Sequence, residues 1–196
     1  MPDIAPMTLR DLAGVLDWAA AEGWNPGIDD AAAFYAADPT GFFLKRVEGR
    51  PAAAISVVNH SPAFAFLGLY ICHPDFRGQG HGLDVWQAGI THAGRRTIGL
   101  DGVPAQQANY ETSGFLRAGE TTRYTGRLPR AVAGRAFDPD DLPMLLSEDR
   151  TASGVSRPRC LTPWLAGAET RRTLVLGAAG HVEAFATGRR CRDGVK

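Results

Sequence analysis

The stretch Ala63–Cys72, AFAFLGLYIC, constrains the fold more than any other part of the chain. It is almost wholly apolar and aromatic, and Pro62 and Pro74 fence it on both sides. A strand with one wet face alternates apolar and polar residues. An unbroken apolar run of this length is instead expected of a central strand covered on both faces. The residues around it supply the covering layers. Asp11–Glu22 places Leu12, Val15, Leu16 and Ala19 on one helical face, with Asp11 as N-cap or first-turn acid and Gly23 as stop. Asp29–Ala36 reads as a second short helix. Gly41–Val47 and Pro51–Asn59 read as strands joined by a hairpin turn at Glu48-Gly49-Arg50. After the central run, Leu83–Ala93 reads as a helix, Arg96–Leu100 as a strand and Pro104–Thr112 as a helix with proline at its start. Phe115–Ala118 and Thr121–Arg127 read as two closing strands. The sum is a mixed α/β domain over residues 1–128.

Residues 129–196 start the pattern again. Asp141-Leu142 echoes Asp11-Leu12 at an offset of 130 residues, and Gly180 echoes Gly49 at 131. Agreement of two separated features points to an internal duplication. In that register Lys196 corresponds to about residue 65, so the second unit stops before its own central strand. It is expected to be an incomplete α+β unit, with Thr173–Leu176 and Val182–Ala186 paired about Gly177–Gly180. Such a hairpin leaves one strand edge without a ladder partner. The region is expected to be less protected than 1–128, and association of two copies through the edge is left open.

Composition narrows the function classes. Lys+Arg and Asp+Glu are both 21, so no basic excess marks a nucleic-acid binder. No run of about 18 apolar residues occurs, which excludes a membrane-spanning helix. The start of the chain shows no signal peptide. Cys72, Cys160 and Cys191 form no CxxC pair and are expected to be reduced thiols of a cytoplasmic protein. His73 and His81 lack convergent partners, so no metal site is expected.

The chemistry is concentrated in Leu69–Gly82, LYICHPDFRGQGHG, where the central strand turns through His73-Pro74 into a glycine-rich helix start. Glycines let the backbone approach a ligand closely, and the free N–H groups of a helix start suit a pyrophosphate. The Walker A pattern needs Gly-Lys-Ser/Thr, and no lysine is present. The dinucleotide fingerprint needs G-x-G-x-x-G after a first strand, whereas Gly78, Gly80 and Gly82 are spaced by two after a fourth. What fits is Arg77-x-x-Gly80-x-Gly82.

At these residues the chain resembles the GCN5-related N-acetyltransferase (GNAT) superfamily. The order of elements over 1–128 is similar to the family's, and ANYETSGF (Ala108–Phe115) resembles its Tyr-x-x-x-Gly-Phe helix end. GWNPG, FYAADPTGFF and LDGVPAQQANY resemble a bacterial subgroup with a second, related domain. The resemblance is good over the first two thirds and loose over the last. It implies the GNAT fold, with a mixed central sheet flanked by helices, and acetyl-CoA as co-substrate. It implies cofactor contacts at Ile71, Cys72, Arg77, Gly78, Gln79, Gly80, His81 and Gly82. Backbone groups near Ile71 and Cys72 would take the pantetheine and the thioester oxygen where the fourth strand splays from the fifth.

The implied reaction is attack of a neutral amine, on a small molecule first and a peptide terminus second, on the acetyl thioester. Tyr110 is the candidate acid for the departing thiolate; packing between helix and sheet is its bland alternative. A covalent route through Cys72 lacks an activating histidine. Glu22, Asp29, Asp30 and His60 are the nearby candidates for a base, each also readable as a surface or capping residue. Trp24 and Asn25 fall where the family's acceptor site is walled. One departure stands out: Gly102-Val103-Pro104 replaces the asparagine common after the fifth strand. The competing class is a non-catalytic acyl-CoA-binding module.

Overall fold

The computed structural model describes residues 3–127, 134–178 and 180–196. Strand β1 (Ile4–Pro6) leads into helix α1 (Leu9–Ala21). The N-cap is Thr8, and Asp11 is the first-turn acid. The Thr8 hydroxyl accepts from the Asp11 N–H at 3.1 Å, and the Asp11 carboxylate accepts from the Thr8 N–H at 2.9 Å, a reciprocal capping box. Burial pushes the Asp11 carboxyl up, but its Thr8 bonds and the Arg46 guanidinium outweigh this and hold it below the usual range. Helix α2 (Asp30–Ala37) follows, then β2 (Phe42–Val47) and β3 (Arg50–Asn59). Their turn has positive φ at both Glu48 and Gly49, the two-residue geometry that matches strand twist.

The expected central strand is β4 (Phe64–Cys72), an interior strand one place in from the sheet's edge; Phe66 is 37% exposed, so the strand is not covered on both faces. The sheet runs β1-β2-β3-β4-β5, antiparallel except where β4 pairs in parallel with β5 (Thr97–Leu100). Helix α3 (His81–Ala93) makes that crossover. Leu12, Val15 and Leu16 of α1 pack on Phe42, Leu44, Ala54 and Ile71. On the other face α3 lies so close that a Cβ at Gly89 would sit 2.7 Å from Val57 Cγ2.

After the short helix α4 (Gln107–Thr112) the two expected closing strands do not form. Residues 115–127 have no regular structure, and Leu116 and Tyr124 are 91% and 90% exposed. The segment RAGETTRYTGR lacks the alternation that would give a strand one buried face, and two glycines weaken it further.

The expected boundary at Leu128 lies outside the described residues. Beyond it, β6 (Arg135–Ala136), β7 (Arg171–Leu176) and β8 (Ala184–Arg189) form a second antiparallel sheet, with α5 (Leu142–Ser153) and α6 (Pro158–Leu165) on one face. β8 begins at Ala184 rather than Val182. Gly177, at φ +117°, carries the turn, and its missing Cβ would strike the His181 carbonyl. The second unit does not hang free. Phe34 of α2 stacks on Trp164 of α6 at 5.6 Å, and Asp30 is buried against Arg171 and Arg189.

Candidate functional site

The site is built where β4 leaves its neighbours. Residues Phe64–Leu67 pair with β5; Gly68–Cys72 have no β5 partner. On the other side the β3 register shifts, because Ala54 faces Ile71 while Ser56 faces Gly68. β4 therefore holds an extra residue there, a bulge at which Leu69 takes φ +45°. A leucine in the left-handed region is strained, and such strain collects at functional sites. β5 ends at Leu100, opposite Leu67, so beyond that point a wedge opens between β4 and the chain that follows β5. Ile71 and Cys72 lie on its β4 wall.

The glycine-rich turn sits at the open end of this wedge. Gly78 and Gly80 have φ +74° and +85°, and a Cβ on either would meet nothing within 4 Å. Among the described residues, no protein acceptor takes the N–H groups of Gln79, Gly80, His81 or Gly82. These donors, with the positive end of the α3 dipole, form a cradle of the size and sign that a phosphate needs. Gly82 differs: a Cβ there would lie 3.0 Å from the Tyr70 hydroxyl and crowd it. The Arg77 guanidinium turns away from the cradle. Its Nε donates to the Cys72 carbonyl at 3.1 Å, and it pairs with Glu22. His81 rests edge-on to Phe76 at 6.0 Å, and Gln79 donates to the Asp75 carbonyl at 3.1 Å.

Tyr110 stacks on Trp86 at 6.0 Å, and Trp86 in turn meets Tyr70 at 5.3 Å. Burial pushes the Tyr110 phenol above its ordinary value. Burial also raises Tyr70, helped by the neighbouring Tyr110 and Cys72. The two tyrosines thus share Trp86 of α3 as a packing partner. A Cβ at Gly102, in the Gly102-Val103-Pro104 stretch that replaces the family's asparagine, would lie 3.0 Å from the Tyr110 ring, so a side chain there would crowd the tyrosine. Cys72 donates its thiol to the Ala52 carbonyl at 3.4 Å; burial raises its pKa more than Arg77 lowers it. A protonated, bonded thiol is a poor nucleophile.

None of the four candidate bases stands free in the wedge. Glu22 holds Arg77. Asp29 accepts from the Thr170 N–H and hydroxyl at 2.7 and 2.6 Å. Asp30, expected at the surface or as a cap, is 1% exposed. His60 lies at the far end of β4, stacked on Phe64, with its pKa lowered by burial. Asn25, expected to face an acceptor, spends both amide atoms on the backbone of Asp193, at 2.6 and 3.2 Å. Tyr70 and the bulge at Leu69 were not singled out by sequence. Among the described residues no group of three or more acidic, histidine or cysteine side chains could hold a metal, and no helix is long and apolar enough to cross a membrane.

Residues 10–115 match the Acetyltransferase (GNAT) family. The chain belongs to the GNAT family. It is 32% identical over 195 residues to a holothin acyltransferase of Pseudoalteromonas sp. (strain SANK 73390), covering 97% of this chain and 66% of that protein. The chain thus spans just under two thirds of that relative. Among solved structures, an acetyltransferase from Pyrococcus horikoshii superposes with a TM-score of 0.63 at 18% identity, over 88% of this chain and 67% of the other. A Mycobacterium tuberculosis protein solved with CoA and NLQ gives 0.50 at 11% identity, over 63% and 76%. At these identities the two structures speak for the fold alone.

Proposed function

We propose that this GNAT protein is an acyl-CoA-dependent acyltransferase that moves an acetyl group to a primary amine, most favourably of a small molecule, by direct attack. The observation that carries the reading is the cradle of unclaimed N–H groups at Gln79–Gly82, opening beside the stretch where β4 leaves β5. The acyltransferase relative and the CoA-bound neighbour support it. Gln79, Gly80, His81 and Gly82 bind the pyrophosphate through their backbone. Ile71, Cys72 and the bulge before them line the pantetheine arm and offer an N–H to the thioester oxygen.

The amine nitrogen attacks the thioester carbon. The carbon–sulfur bond then breaks, the Tyr110 phenol gives its proton to the leaving thiolate, and the proton lost by the new ammonium returns through water to the Tyr110 phenolate. A phenol held above pKa 10 by burial stays protonated at neutral pH and suits that donation. The employment of Glu22, Asp29, Asp30 and Asn25 elsewhere favours a second reading, a module that binds acyl-CoA without transfer.

Titration calorimetry with acetyl-CoA should show binding. Gly80→Glu should abolish it, because a carboxylate enters the cradle on a residue already at φ +85°. Undiminished binding by that variant would sink the assignment of the cradle. Release of CoA thiol with holothin and a panel of amines separates the two readings, since the module binds but releases none.

A further inference from the structure

We infer that residues 190–196, together with Thr170, are a strap that positions the loop between α1 and α2, and through it the acceptor side of the wedge. The inference rests on the transferase reading for the word acceptor, and on contacts alone for the strap. The loop Gly23–Asp29 is bound at nearly every step by residues about 140 to 170 positions away. The Lys196 ammonium donates to the Trp24 carbonyl at 2.7 Å. The Asn25 amide exchanges two bonds with the Asp193 backbone. The Ile28 N–H donates to the Arg190 carbonyl at 3.0 Å, and Gly27 bridges Cys191. Asp29 is held by Thr170.

A loop with a proline, two glycines and an asparagine at φ +50° has little internal structure to fix it. Here α1 and α2 take the Gly23, Trp24 and Gly27 N–H groups, through Ala20, Ala19 and Asp30, and the second unit takes the Trp24 carbonyl and the Ile28 N–H.

The other side of the loop faces the site. Trp24 packs in the cluster that contains Leu69, the strained bulge residue, and Ile71. Glu22, at the loop's start, pairs with Arg77, which also caps the Cys72 carbonyl. The strap thus reaches the wedge through the loop, and among the described residues it makes no hydrogen bond to the glycine cradle or to Tyr110. Loosening it should move acceptor binding and leave acyl-CoA binding alone.

The test uses the full chain with Thr170→Val and Lys196→Met combined, which removes two side-chain bonds to the loop and alters nothing in the wedge. Thr170→Ser, which keeps the hydroxyl, and Arg172→Ala, on the exposed face of β7, are the controls. In the double variant, hydrogen exchange of the Ile28 amide should quicken about tenfold while β4 amides stay unchanged. The KM for the amine found by thiol release should rise about tenfold, with the KM for acetyl-CoA within about twofold. Both controls should behave as wild type. Unchanged exchange at Ile28 overturns the strap, and equal rises in the two KM values overturn its link to the acceptor side. Wild-type protein that acylates no amine sinks the transferase reading instead, and Ile28 exchange then decides the strap alone.

Discussion

Tyr110, Tyr70 and Leu69 differ in how far sequence revealed them. Tyr110 could be singled out because its place in ANYETSGF resembles a family motif. Nothing local signalled Tyr70 or the bulge at Leu69, because a bulge is a property of two strands in register and not of one segment. Gly102 is a similar case: it reads as a missing asparagine until the Tyr110 ring is found against it. If Tyr110 donates the proton, Tyr110→Phe should lower kcat by roughly 100-fold, the low end for a general acid, since a thiolate already leaves well. Binding of acetyl-CoA should be unchanged. The pH profile gives a second check. Because burial raises the phenol's pKa, its protonated form persists beyond the ordinary value of about 10. The alkaline fall in kcat should therefore lie above that value in the wild type and vanish in the phenylalanine variant, as followed by thiol release across the pH range.

At the scale of elements, sequence was legible where one face had to be buried. α1, α3, β2, β3 and β4 appear within a residue or two of where their periodicity puts them, because a shift would expose Leu12, Val57 or Ile71. It failed at residues 115–127, where Phe115, Leu116 and Tyr124 are too few to define a face. The start of α5 offers a test of what replaces burial at an element's end. Arg135 donates to both Asp141 carboxylate oxygens at 2.6 Å, and the Asp138 N–H donates at 2.9 Å. The guanidinium first, and that N–H second, hold the Asp141 carboxyl at about 2 against an ordinary 3.8. A carboxyl lowered on folding stabilises fully above its unfolded value and loses that contribution as pH falls toward its folded one. The second sheet should therefore weaken between about pH 4 and pH 2, followed by amide exchange at Phe137 and Val175. In Asp141→Asn the same region should be weaker at neutral pH and flatter across that window.

At the scale of the whole molecule, the two units are joined by charge as well as by packing. Asp30 is 1% exposed and Arg171 3%, with Arg189 beside them. Both arginines lie over the Trp164 ring, at 4.7 and 4.9 Å, and Phe34 of α2 stacks on the same ring at 5.6 Å. Asp30 also accepts from the Gly27 N–H at 2.8 Å, so one carboxylate ties α2, the α1–α2 loop and the second sheet. A buried pair of this kind adds little over an apolar contact, but removing one partner leaves charge uncompensated, at a typical cost of about 3–5 kcal/mol. Asp30→Ala should therefore destabilise by about that much, since Arg171 keeps its charge with only carbonyl partners left. The more telling effect is on cooperativity. With the joint intact, neither unit can leave without exposing the other's charge, so the wild type should unfold in one calorimetric transition with coincident probes. With the joint broken, the second unit has only a small core about Leu145, Leu165 and Val175 to hold it, and should melt first. Asp30→Ala should then show two transitions, the earlier one reported by Trp164 fluorescence and by exchange in β7 and β8. A single transition displaced as a whole would mean that the α2–α6 packing, and not the charge, joins the units.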